Sequence, residues 1–225
     1  MNNLQLNWKL LFLIAFLGIG SYVAIDGFIE MAESMSEDEF INLDSHAAEM
    51  ALAMRTPPLT KFFHFITAFG NWQVFVSLFV VFTAGFFISN KHFKAPLIVG
   101  GLISGAGVVM YVLKDLFDRQ RPSIDVLVNA RLSSFPSGHS MLSVVFYGFM
   151  IFLVWRVVEN RFIKWLFSLM LILLILTICW SRVYLGAHYA SDVLAGMIAG
   201  IGWLCMALLG YLIVKMYKKK KLYIQ

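Results

Sequence analysis

Charge is scarce in this sequence. Asp, Glu, Lys and Arg make up 14% of its 225 residues, where a soluble globular domain carries about 25%. Hydrophobic residues supply 60% and the mean hydropathy is +0.78. Too little polar surface is available to cover a water-soluble fold, and the length suits one membrane bundle better than two domains. Cysteine is nearly absent. Cys179 and Cys205 both lie in apolar stretches, which excludes a disulfide framework or paired-cysteine metal spacing and leaves them as buried packing residues. The net charge of +5 is spread thinly between apolar runs, without a basic stripe interleaved with aromatics. No nucleic-acid partner is expected.

What the chain has in abundance is long apolar runs. A bilayer core takes about 20 mostly apolar residues per helix, and six segments qualify, near 9–31, 59–88, 96–117, 138–156, 164–184 and 190–214. These runs are continuous, whereas membrane strands are short and alternate in polarity. The expected fold is all-α, a six-helix transmembrane bundle forming a single membrane domain over residues 1–225. The first segment is read as an uncleaved span, because its run from Leu10 to Ile25 is long and no small-x-small cleavage pair follows.

Orientation follows from Lys and Arg near the span ends. Eleven of the eighteen sit at one set of ends: Lys9, Lys91, Lys94, Arg156, Arg161, Lys164, Lys215 and Lys218 to Lys221. Both termini are therefore expected in the cytoplasm, with the C-terminal lysines as a solvated anchor on anionic lipid. The first outer connection, about 32–58, is acidic. Ser36 and Glu39 have capping-box spacing, and Phe40, Leu43, Ala47, Met50 and Met54 recur at helical period. This spacing predicts a short amphipathic helix over about 36–55 on the outer surface, a connector or a lid. Asp44, His46 and Glu49 are read as its charged face. Glycines at 101 and 105, and at 196 and 200, have the small-xxx-small spacing of close helix packing.

Charge inside membrane helices is costly, about 2.5–3.5 kcal/mol per Lys, Arg or Asp at a span centre, so polar clusters near span ends need a reason. Three occur: Lys114 with Arg121-Pro122, Pro136-Ser137-Gly138-His139, and Ser181-Arg182 with His188 and Asp192. Counting spans from a cytoplasmic start puts all three at the outer face. Lys114, Arg121 and Arg182 match the charge and donor geometry of a phosphate. Ser137 is a fitting N-cap and Gly138 allows close approach, so a helix start can point N–H groups at the same anion. His188 and Asp192, four residues apart, share a helical face. A carboxylate holding one ring nitrogen leaves the other unprotonated, the state a nucleophile needs. His139 on another helix is then free to protonate the leaving group. A transporter would use the three cations for binding but has no need of a His–Asp pair facing a second His.

With its spacing intact, this set resembles the type 2 phosphatidic acid phosphatase family, whose signature is Lys, six residues, Arg-Pro; then Pro-Ser-Gly-His; then Ser-Arg, five residues, His, three residues, Asp. Every position is filled, from Lys114 to Asp192. The resemblance implies a lipid phosphatase acting through a phosphohistidine, with His188 as nucleophile, Asp192 as its partner and His139 as acid. It implies Lys114, Arg121, Ser137, Gly138, His139 and Arg182 around the phosphate, no cofactor and no metal. Partners are then a membrane lipid phosphate and the bilayer, with no obligate protein partner. Small size makes the chain similar to the family's phosphatidylglycerophosphatase B-type group, with undecaprenyl diphosphate phosphatases as the alternative and phosphotransfer behind both. Arg119, Arg131, Asp115, Asp118 and Asp125 fall outside the signature and are read as solvated loop charges. Tyr184 and Tyr189 are candidates for pocket lining or interface aromatics.

Overall fold

A computed structural model describes residues 8–34, 38–90, 94–123, 126–128 and 132–222. Every regular element among them is helical: α1 (Trp8–Glu33), α2 (Asp38–Ala53), α3 (Pro57–Ala68), α4 (Trp72–Asn90), α5 (Lys94–Phe117), α6 (Gly138–Val157), α7 (Arg161–Tyr184) and α8 (Ala190–Leu222). Local chemistry starts them where expected. Thr56 caps α3 ahead of two prolines at its first turn, Ser137 caps α6, and Asn160 caps α7 by accepting from Ile163 N–H at 3.1 Å.

Among the described residues five helices are individually long and apolar enough to cross a membrane. The run expected as one span over 59–88 is a bent pair, α3 and α4, at 53° to each other, which together are long and apolar enough to supply the sixth span. The break has a packing cause. A Cβ on Gly70 would lie 2.8 Å from both the His139 ring and Ile178, so only glycine lets the chain pass that close to α6 and α7. The outer faces of the spans are apolar, as on α7 with Leu169, Met170, Leu173 and Leu176 exposed, the pattern of helices solvated by lipid.

α8 is the central post. It packs on α1, where Gly202 meets Ala24, and on α6, where Gly196 and Gly200 meet the Ser137 and Met141 carbonyls. Gly105 is likewise filled by the Trp203 ring, but Gly101 faces open space, so the packing reading holds for three of the four glycines. One apolar core gathers Phe75, Phe146, Ile178, Val183 and Val193, and another Val99, Ala106, Met141 and Phe149. Cys179 is buried and Cys205 only partly so.

α2 forms as expected, though rotated. Leu43, Met50 and Met54 are exposed, whereas Asp44 and Ala51 are buried against the bundle. Asp44 is thus not part of a solvated face, while His46 and Glu49 are. The inward turn is stabilised by bonds that Asp44 finds on α8 and in the α5–α6 loop, given below. Ser36, Asp125 and Arg131 lie outside the described residues.

Candidate active site

The C-terminal ends of α5 and α7 and the N-terminal ends of α6 and α8 converge, bringing the three sequence clusters together. Their backbones are tied directly. Ser137 N–H donates to the Asp192 carbonyl at 2.9 Å, and Ala187 and His188 N–H both donate to the Arg182 carbonyl, at 3.0 and 3.2 Å.

At the centre is His188, 3% exposed. Its Nδ1 lies 3.5 Å from Asp192 Oδ2 and 3.4 Å from Ser134 Oγ. Its Nε2 lies 3.3 Å from Arg121 Nη1, and a guanidinium can only donate. Nε2 therefore carries the lone pair and Nδ1 the proton. Burial pushes the imidazole pKa down to about 4; Asp192 works against this, while Arg121 and Arg182 add to it. The ring is neutral at neutral pH.

Asp192 has no exposed surface. Oδ2 accepts from Tyr189 N–H at 2.9 Å and from the Ser134 hydroxyl, and Oδ1 accepts from Arg119 Nη1 at 2.6 Å. Arg119 also reaches Asp44 Oδ2 at 2.9 Å. Reading it as a solvated loop charge is therefore corrected: two carboxylates hold it inside. Burial opposes its charge, but Asp192 and Asp44 outweigh that and raise its pKa. Asp115 and Asp118 are exposed, as expected.

Lys114 Nζ donates to the Ser133 and Ser134 carbonyls at 2.6 and 3.4 Å. Arg121 donates through Nε to Leu132 O and through Nη1 to Ala187 O, both at 2.7 Å. Burial lowers the Arg121 pKa, partly offset by Asp192. Lys114 thus also holds the 133–134 carbonyls to the end of α5, and Arg121 ties Leu132 to the turn ahead of α8. Arg182, 5% exposed, donates from Nη1 to Thr67 Oγ1 at 2.7 Å, yet its buried Nε has no partner among the described residues. An unsatisfied buried donor costs about 1–3 kcal/mol, which an arriving oxyanion relieves.

On α6, Ser137 Oγ accepts from Ser140 N–H at 3.5 Å and from Ser140 Oγ at 3.0 Å. A helix start leaves the Gly138 and His139 N–H groups without intrahelical acceptors. A Cβ at Gly138 would meet Met110 Sδ at 2.9 Å, so the Met110 side chain packs directly on this helix start. His139 Nε2 is held by Asn71 Oδ1 at 2.8 Å, from the break between α3 and α4.

Tyr184 is not pocket lining. It is fully buried, with its ring 4.4 Å from Phe63 and its hydroxyl near Thr56 N–H and Thr60 Oγ1. Tyr189 does line a cavity of about 490 Å³ that reaches His188 and is walled by α2 through Ile41, Ala48 and Leu52. Among the described residues no cluster of three His, Cys, Asp or Glu side chains is arranged to hold a metal. Asn71, Thr67, Ser134, Arg119 and Asp44 are the site residues that sequence reasoning missed.

Residues 95–218 match the family model described as the PAP2 superfamily. The chain belongs to that superfamily. The class expected from its signature, a membrane lipid phosphatase, follows from that membership. It is 28% identical to phosphatidylglycerophosphatase B of Bacillus subtilis (strain 168) over 177 residues, 77% of this chain and 86% of the relative. It is 36% identical to the putative undecaprenyl-diphosphatase YbjG of Escherichia coli (strain K12) over 98 residues, 41% of this chain and 45% of the relative. The fold resembles the crystal structure of a transmembrane PAP2-type phosphatidylglycerolphosphate phosphatase from Bacillus subtilis, with a TM-score of 0.78 at 26% identity over 89% of this chain and 96% of the other. Aquifex aeolicus LpxE is similar at a TM-score of 0.58 and 25% identity, over 72% of this chain and 92% of the other.

Proposed function

We propose that this membrane lipid phosphatase hydrolyses phosphatidylglycerophosphate to phosphatidylglycerol through a phosphohistidine on His188. The observation that carries the mechanism is the state of His188, neutral, with Nδ1 turned to Asp192 and the lone pair of Nε2 beside Arg121. Nε2 forms the N–P bond as the P–O bond to the lipid breaks, and His139 gives its proton to the departing lipid oxygen. Asn71 holds Nε2 of His139, so Nδ1 is the nitrogen that exchanges this proton. Water then attacks phosphorus, the N–P bond breaks, and the proton from water returns to His139 as phosphate leaves. Lys114, Arg121, Arg182 and the N–H groups at Gly138 and His139 stabilise the oxygens as negative charge develops. The Nε of Arg182, which has no partner among the described residues, supports that role.

We place both termini in the cytoplasm and the site at the outer face. Of the seven cationic side chains on the site side, Arg55, Lys114, Arg119, Arg121 and Arg182 all bond within the protein. Discounting these steepens the cytoplasmic excess of Lys and Arg. The substrate choice rests on the likeness to phosphatidylglycerophosphatase B over most of both chains. The shorter but higher identity to the putative undecaprenyl-diphosphatase, together with an outward site, favours undecaprenyl diphosphate as the second reading.

The test is phosphate release by wild-type and His188→Ala protein, with chelator present, on phosphatidylglycerophosphate, undecaprenyl diphosphate and phosphatidic acid. Release by wild type alone, fastest on phosphatidylglycerophosphate, is expected. Equal rates for the two proteins overturn the nucleophile, and fastest release from undecaprenyl diphosphate overturns the substrate.

A further inference from the structure

The two oxygens of Asp192 have different company. Oδ2 takes the Tyr189 N–H and the Ser134 hydroxyl and faces His188, whereas Oδ1 takes Arg119. Arg119 carries a separate nitrogen to each of two carboxylates, Nη1 at 2.6 Å to Asp192 and Nη2 at 2.9 Å to Asp44. Its guanidinium also lies 4.3 Å from the centroid of the Tyr189 ring. Asp44, 6% exposed, accepts in addition from Ser191 N–H at 2.8 Å and Ser191 Oγ at 2.7 Å. Both carboxylates are thus desolvated and share one cation, an arrangement in which removing any member leaves a buried charge uncompensated.

We propose that Arg119 is the positioning residue for the His188–Asp192 pair, and that Asp44 on α2 sets Arg119 in place. This rests on the reading of His188 as nucleophile. With Oδ1 held by the guanidinium, the carboxylate cannot rotate. Oδ2 stays on Nδ1 of His188, and the ring keeps its lone pair on Nε2. Only a residue with two forked terminal nitrogens spans both acids at once, which a lysine cannot do. Because Asp44 belongs to the helix that walls the cavity beside His188, the placement of α2 reaches the nucleophile through a single side chain. Neither Asp44 nor Arg119 belongs to the three-part signature, and they lie 75 residues apart in sequence.

The experiment compares wild type, Arg119→Gln, Asp44→Asn and the double variant as full-length protein, with phosphate release followed across phosphatidylglycerophosphate concentrations. Arg119→Gln is expected to lower kcat roughly 10- to 100-fold, as loss of a charge-assisted hydrogen bond does, with KM within about threefold of wild type because the group acts through Asp192. Asp44→Asn lowers kcat by a smaller factor, and the double variant is no slower than Arg119→Gln. Effects that multiply, or a raised KM at unchanged kcat, overturn the proposal. Arg119→Lys restores part of kcat, and adding Asp44→Asn to it changes nothing further. Where Arg119→Gln is not recovered folded, this lysine pair decides, a further loss on adding Asp44→Asn overturning the proposal. His188→Ala is measured alongside. Turnover by that variant overturns the nucleophile itself, whereas an inactive His188→Ala with fully active Arg119→Gln overturns only the positioning role.

Discussion

Gly196→Ala puts one methyl group into the contact between the two helices that hold the proposed catalytic residues. The new Cβ would lie 2.5 Å from the Ser137 carbonyl oxygen and 3.1 Å from Ser140 Cβ. A carbon–oxygen contact settles at about 3.3 Å or beyond, so α6 and α8 must part by roughly 0.8 Å. Backbone on α6 cannot swing aside as a flexible side chain would. Ser137 also donates its N–H to the Asp192 carbonyl, so the displacement falls on the junction between His139 on α6 and the His188–Asp192 pair leading into α8. A misplacement near 1 Å costs on the order of 10²-fold, and we expect kcat for phosphate release to fall about 10- to 100-fold. Gly101→Ala is the control, since its Cβ meets nothing within 4 Å; it should keep kcat within about twofold, as substitutions away from packed features do. The assay is initial phosphate release per mole of protein that elutes as a single species in detergent. Wild-type kcat in Gly196→Ala would refute the reasoning, and equal losses in both variants would show that glycine spacing alone, not the contact, governs the effect.

Acid sensitivity follows from His188. As the proposed nucleophile it attacks only when neutral, and its pKa is pushed down to about 4, so kcat/KM should hold as pH falls through 6.5 and decline only near pH 4; an acid limb at the ordinary histidine value of about 6.5 would contradict the burial argument. Asn71→Ala removes the partner of His139 Nε2 and should lower kcat about 10-fold with little change in KM, the equivalent of one oriented hydrogen bond; an unchanged kcat would remove Asn71 from the site. Tyr184→Phe deletes a hydroxyl that serves Thr56 and Thr60 and should destabilise the protein by about 1 kcal/mol while sparing turnover. Thermal inactivation and initial rate, measured on the same preparation, separate the two.

The spans and the signature were legible for the same reason: both are local. A run such as Leu97–Phe117 is apolar enough to declare itself, and His188 and Asp192 are near neighbours in sequence, although His188 lies in the turn ahead of α8 and not on the helical face expected for the pair. The break at 69–71 was hidden because hydropathy averages across it, although Gly70-Asn71 is a turn dipeptide set in apolar surroundings. The rotation of α2 was hidden because the apolar row at 40, 43, 47, 50 and 54 is the stronger periodic signal. The competing row of Asp44, Ala47 and Ala51 needs Arg119 and Ser191, far along the chain, to make its carboxylate tolerable inside. Ser134 and Thr67 carried no signal, since isolated hydroxyl residues in loops and helices are common.

α2 breaks the usual rule for a helix lying on a protein, burying a carboxylate while large apolar side chains stay outside. It is fastened to the bundle by that carboxylate and turns Leu43 and Met50 outward along with His46 and Glu49. Its inner fastening is shielded from mobile ions, so raising the salt concentration will barely loosen it. Its outer row answers instead to whatever amphiphile surrounds the protein. Purification will therefore tune this enzyme through the choice of detergent or lipid rather than through ionic strength, and a micelle that fails to wet that row will act on the wall of the cavity beside His188.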